Sequence, residues 1–109
     1  MADAEILVIV EVQDIFDEQA FEAYRVKARE QLLARGGTLL GRGGVLFEGA
    51  PPLALSVLVQ RWPSEEAFLT WQTSEDYAPL LALRNKAAQL RIMIVPAACR
   101  TEPNGKSDS

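Results

Sequence analysis

The chain contains no histidine and one cysteine, Cys99. Without histidine there can be no Ser-His-Asp or Cys-His nucleophile pair, no iron site of two histidines and a carboxylate, and no histidine-held haem or zinc. A single cysteine removes intrachain disulfides, thiolate zinc sites and iron–sulfur clusters. The expectation is a protein with no metal and no cofactor, in which any catalysis runs on Asp, Glu, Tyr, Arg, Lys or Cys99, or on chemistry that an organic molecule brings with it. Long apolar runs are missing too. The longest, residues 6–10, falls far short of the ~20 residues that cross a bilayer, so no membrane partner is expected. There is no positively charged start, because Asp3 and Glu5 stand where one would be needed, and a reducing cytoplasm is the expected home. A net charge of −4 without a lysine-rich or arginine-rich cluster excludes nucleic acid as an expected partner.

What the chain does have is 49% hydrophobic against 24% charged residues in a length of 109, enough for one globular domain. Residues 1–100 are expected to form it, with 101–109 a disordered tail. Residues 5–12, EILVIVEV, read as a strand buried on much of both faces. A helix over 17–35 follows, capped by Asp17, with Phe21, Tyr24, Ala28 and Leu32 on one stripe and Gly36-Gly37 as its stop. Residues 38–49 carry strand residues broken by glycines, predicting a short strand, a turn at 42–44 and a second arm. Pro51-Pro52 forces an extended connection into a strand over 53–62, and 91–97 form the last strand. Between these lies RWPSEEAFLTWQTSEDYAPLLALR, residues 61–84. Ser64 caps a first short helix with Ala67, Phe68 and Trp71 on its buried face, and Pro79 makes a second helix re-initiate with Leu80, Leu83 and Ala87 inward.

The order β-α-β-β-α-β predicts an α+β, ferredoxin-like fold, a four-stranded antiparallel sheet with both helices on one face. Alternation assigns Ile6, Val8, Val10 and Val12, with Leu53, Leu55, Val57 and Val59, to the covered side. The uncovered side still holds Leu7, Ile9, Ala54, Leu58 and part of 92–95, interrupted by Glu11, Ser56 and Gln60. Leaving such a face in water costs several kcal/mol at ~25 cal/mol per Å², and the chain has no further element to cover it, so a homodimer through the sheet face is expected.

The segments FDEQAFEAY, LLARGGTLLGRGG, FEG, WPSEEAFLTW, SEDY and ALR, in that order from about residue 5 to 97, resemble the signatures of the family described as domain of unknown function 1330, within the dimeric α+β barrel superfamily. The chain departs at Arg61, Trp62, Gln72 and Pro79. The resemblance implies a ferredoxin-like protomer whose sheet pairs with a partner's to close a barrel. It implies little chemistry, since the wider superfamily spans cofactor-independent monooxygenases, lactone isomerases, polyketide cyclases, haem-dependent peroxidases and effector-binding domains.

The candidate residues each carry two readings. Tyr24 presents a hydroxyl to a pocket, or packs with that hydroxyl on solvent or a carbonyl. Trp71 and Tyr77 wall a cavity for a flat ligand, or anchor a bent helix. Arg42, among glycines, clamps a carboxylate or enolate, or is a solvated turn residue. Arg84 pairs with Glu48 or Asp76, as a salt bridge or an anion site. Glu11 and Gln60 meet partners across a dimer or project into a cavity, and a desolvated Glu11 can serve as a general base, as can Glu48. Cys99 reads as an inert thiol. Two functions stay open: a metal-free small-molecule enzyme of monooxygenase, isomerase or cyclase type on an enolizable or aromatic compound, and a non-catalytic dimeric ligand-binding or interaction module. The residues leave open whether a pocket lies between sheet and helices or inside the dimer barrel.

Overall fold

The computed structural model describes residues 5–44, 48–49 and 54–96. Four strands and three helices follow in the order β1 (Ile6–Ile15), α1 (Glu18–Ala34), β2 (Thr38–Gly43), β3 (Ser56–Trp62), α2 (Glu65–Gln72), α3 (Ala78–Ala87) and β4 (Ala88–Pro96). The strands form one antiparallel sheet in the order β2-β3-β1-β4, the ferredoxin-like arrangement, with α+β character throughout. Among the described residues no helix is long and apolar enough to cross a membrane.

The helix boundaries follow from local chemistry. The Asp17 carboxylate accepts from the Ala20 amide at 3.0 Å and the Ser64 hydroxyl from the Ala67 amide at 3.0 Å, each satisfying a donor the first turn leaves open. Gly36 takes a positive φ of 95° directly after α1, where a side chain would be strained. Between α2 and α3 the chain bends as Pro79 requires: the Ser74 hydroxyl accepts from the Tyr77 amide at 3.2 Å, and α3 restarts with Pro79 in its opening turn. Gly37 is required for a different reason. A Cβ there would lie 2.8 Å from Leu32 Cγ and 2.9 Å from the Trp62 ring, so the chain passes the indole only without a side chain.

In β1 the alternation holds as expected: Ile6, Val8, Val10 and Val12 are buried under the helices. In β3 it is opposite to the expectation. Val8 pairs with Gln60, Val10 with Leu58 and Ile6 with Trp62, so Ser56, Leu58, Gln60 and Trp62 face the helices, while Val57 and Val59 join Leu7 and Ile9 on the uncovered side. The largest apolar side chain decides the phase. Trp62 is fully buried, stacked on Trp71 at 5.3 Å between ring centroids, and its indole N–H donates to Gln60 Oε1 at 2.8 Å, which brings Gln60 inside with it. Strand β4 begins at Ala88, three residues before the expected start, directly from the end of α3. The expected second arm after Gly44, the Pro51-Pro52 connection, Leu53, Cys99 and the tail 101–109 lie outside the described residues.

Candidate functional site

Helix α1 packs chiefly against α3, and a cavity of about 300 Å³ opens between α1 and the helix-facing side of β3 and β2. Its inner end is aromatic, with Phe68, Trp71, Tyr77 and Tyr24. Leu58 and Gln60 rise from its floor, and Arg25, Arg29 and Arg42 also line it. Trp71 is pinned from both sides: its ring meets Tyr77 edge-on at 4.8 Å, and its indole N–H donates to Gln31 Oε1 at 2.9 Å. Gln31 in turn donates to the Asp76 carbonyl at 3.1 Å, tying α1 to the bend before α3. Trp71 and Tyr77 are thus buried core residues that also line the cavity.

At the inner wall three side chains from two helices and the bend join in a chain of hydrogen bonds. Arg84 Nη1 donates to the Tyr77 hydroxyl at 3.0 Å, and that hydroxyl lies 2.7 Å from the hydroxyl of Tyr24. Either hydroxyl can be the donor of that pair, and donor accounting favours one direction. Arg84 can only donate, and Tyr77 is fully buried with no other acceptor near its hydroxyl among the described residues. If Tyr24 donated to Tyr77, the Tyr77 proton would be stranded in the core, which is costly. With Tyr77 donating to Tyr24, the hydroxyl of Tyr24, a half-buried residue of the cavity lining, keeps its own proton to donate. Burial, followed by the neighbouring Tyr77 hydroxyl, raises the Tyr24 pKa well above the ordinary tyrosine value, against a smaller opposing effect of Arg84. Tyr24 thus stands as a neutral donor, not a phenolate base.

Of the sequence candidates, the structure gathers Tyr24, Trp71, Tyr77 and Arg42 at the cavity and puts Arg84 behind Tyr77. Arg42 is not in a turn: it pairs with Leu58 within β2. A register shift between Leu39 and Gly41 leaves Leu40 as an extra residue, and this bulge turns Arg42 to the side of the sheet that Leu39 also faces. Arg84 meets neither Glu48 nor Asp76. Asp76 lies 3.6 Å from Arg35 instead, and Glu48 is exposed in a bend. Glu11 does not reach the cavity. It projects from the opposite face of the sheet, 2.7 Å from Arg91 on β4, while Gln60, the other polar residue on these strands, lies on the cavity floor. Sequence reasoning missed Arg25 and Arg29. Each directly follows a residue of the inner stripe of α1, Tyr24 and Ala28, and that adjacency was the available signal. Among the described residues no group of three or more His, Cys, Asp or Glu is placed to hold a metal ion.

The family model described as Domain of unknown function (DUF1330) matches residues 5–98. No curated protein matches the chain. Among solved structures, a protein of unknown function from Rhodopseudomonas palustris superposes with a TM-score of 0.74 at 17% identity, over 86% of this chain and 82% of its own. SnoaB, a cofactor-independent oxygenase from Streptomyces nogalater, gives a TM-score of 0.62 at 14% identity, over 92% of this chain and 98% of its own. A dimeric protein of unknown function with a ferredoxin-like fold from Bacteroides fragilis gives 0.51 at 10% identity, over 88% and 99%. At these identities the likeness is one of fold.

Proposed function

The chain belongs to the domain of unknown function family DUF1330, and from that premise we propose that it is one subunit of a dimeric α+β barrel whose cavity binds a small, flat organic molecule and stabilises negative charge on one of its oxygens. The observation that carries this reading is the hydrogen-bonded chain from Arg84 through Tyr77 to Tyr24, which leaves one oriented hydroxyl proton at an aromatic-walled cavity of about 300 Å³. A carbonyl oxygen seated against Tyr24 becomes a better acceptor as it gains enolate character, and a donor already aligned there needs no reorganisation at that moment. Guanidinium charge relayed through Tyr77 makes the Tyr24 proton a stronger donor than an isolated phenol.

The described lining contains no carboxylate that could act as a base. The chemistry this site supports is therefore limited to compounds acidic enough to ionise without one, such as enols and polycyclic phenols. Oxygenase, isomerase or cyclase reactions of such compounds all pass through that anion, and SnoaB, which shares the fold, is a cofactor-independent oxygenase. The missing base favours the second reading, a non-catalytic module that holds the same ligands without converting them. The sheet face opposite the helices, with Leu7, Ile9, Val57 and Val59, supports pairing with a second copy, as does the dimeric protein of like fold.

Titration with 2-naphthol, followed by isothermal calorimetry and by quenching of the tryptophan fluorescence of Trp62 and Trp71, tests the site. Wild type should bind 2-naphthol about 10-fold more tightly than naphthalene, and Tyr24→Phe should lose that preference. Equal binding of the two by wild type removes the role assigned to Tyr24. Oxygen uptake or a spectral change with an enolizable polycyclic compound separates an enzyme from a binding module.

A further inference from the structure

The cavity carries an imbalance of charge that the Tyr24 donor does not use. Among the described residues lining it are three arginines, Arg25, Arg29 and Arg42, and no aspartate or glutamate. This occurs in a chain whose 15 acidic residues outnumber its 11 basic ones. Arg25 and Arg29 stand one turn apart on α1, and Arg42 comes from β2, so the positive charge arrives from two separate elements. Elsewhere three arginines are matched with acids, Arg35 with Asp76, Arg61 with Glu5 and Arg91 with Glu11, while Arg84 donates to the Tyr77 hydroxyl. Among the described residues only Arg25 of the three has such a neighbour, Glu22, and the match is partial. The Arg25 guanidinium lies 5.4 Å over the Phe21 ring, and its Nε–H is buried without an acceptor. A buried donor left unpaired is unusual in a folded protein and marks a place where an acceptor oxygen would be welcome.

Taking the cavity as a ligand site, we infer that its ligand is a planar organic acid. The ring system lies against Trp71, Tyr77 and Leu58, its carbonyl or hydroxyl oxygen meets Tyr24, and a carboxylate is held by Arg25, Arg29 and Arg42. Guanidinium forks suit a carboxylate because two parallel N–H groups match its two oxygens. The carboxylate selects among flat ligands and fixes which end enters first, so that the far oxygen is delivered to the hydroxyl chain.

The test compares three carboxylates, benzoate, 2-naphthoate and anthracene-2-carboxylate, with their neutral amides. Binding to the chain is followed by quenching of its tryptophan fluorescence and by isothermal calorimetry. At least one acid should bind about 10-fold more tightly than its amide, and the difference should shrink as salt is raised. Arg29→Gln with Arg42→Gln should remove most of that difference, while Arg61→Gln, on the opposite face of the sheet, should keep it. Thermal unfolding of each variant confirms that it is folded. Equal binding of acid and amide by wild type overturns the assignment of a carboxylate but leaves the cavity as a ligand site. Tighter binding of 2-naphthyl phosphate than of 2-naphthoate overturns it in favour of a phosphoryl group. If none of these compounds, nor 2-naphthol, binds, both the acid and the ligand site fall.

Discussion

At Tyr77 a fully buried hydroxyl accepts from Arg84 and has Tyr24 to donate to, and two measurements follow from that arrangement. Tyr77→Phe removes the relay but leaves Tyr24 its proton, so affinity for 2-naphthol should fall less than in Tyr24→Phe. Stability should also drop by about 1–3 kcal/mol, because the Arg84 guanidinium loses its acceptor. An affinity loss as large as that of Tyr24→Phe would contradict donation from Tyr77 to Tyr24. The second measurement concerns alkali. Burial holds the Tyr24 proton above the ordinary tyrosine value, so the folded state retains it where the unfolded chain, titrating near ~10, releases it. The sign is that of a group protonated in the fold: its contribution is complete below about pH 10 and is lost as pH rises further. The urea midpoint of wild type should therefore fall faster than that of Tyr24→Phe above about pH 10, and parallel curves would contradict the shift. Tyr24 was legible as an aromatic on the inner stripe of α1, and Tyr77 as an aromatic anchor where the second helical segment bends. Their pairing was not, because 53 residues separate them and nothing local encodes it.

Helix ends and the break at Pro79 were readable because each depends on a few adjacent residues, while the phase of β3 depended on a partner far along the chain. Leu55, Val57 and Val59 are as apolar as Leu58 and Trp62, so periodicity alone gives no preference for either face. Only the size of Trp62, and the need of its N–H for Gln60, breaks the tie. The same limit hid the side to which Arg42 points, since one extra residue at Leu40 reverses it. Gly37 tests how tightly the Trp62 site is drawn. In Gly37→Ala the new methyl would meet Leu32, itself buried in the core, and the Trp62 ring, which is stacked on Trp71 and meets Phe68 edge-on at 5.6 Å. The variant should lose about 1–3 kcal/mol of stability in urea unfolding, the usual cost of an overpacked core. Ser64→Ala should lose about 1 kcal/mol by removing the cap of α2. A Gly37→Ala variant as stable as wild type would mean that the ring can move, and with it the inner wall of the cavity.

For the molecule as a whole, the decisive fact is that the two faces of the sheet differ in character. One holds the cavity under the helices. The other runs in three cross-strand rows: Arg61, Leu7 and Val95; Val59, Ile9 and Met93; and Val57, Glu11 and Arg91. The middle row is wholly apolar, and the rows beside it mix apolar and charged residues, with Glu11–Arg91 paired at one end and Arg61 beside Glu5 at the other. An apolar centre with charges toward its edge is the layout of a protein interface. Wild type should therefore sediment at twice the mass of the chain, and Ile9→Glu, which puts a charge in the centre of the middle row without a partner, should give a monomer of lower stability. Because Ile9 and the cavity occupy opposite faces, that monomer should still bind 2-naphthoate or 2-naphthol within about threefold of wild type, as expected for separated sites. A solitary wild-type subunit would remove the barrel. A monomeric Ile9→Glu that folds but no longer binds would show instead that the second copy holds the cavity open, so that the two faces act as one device.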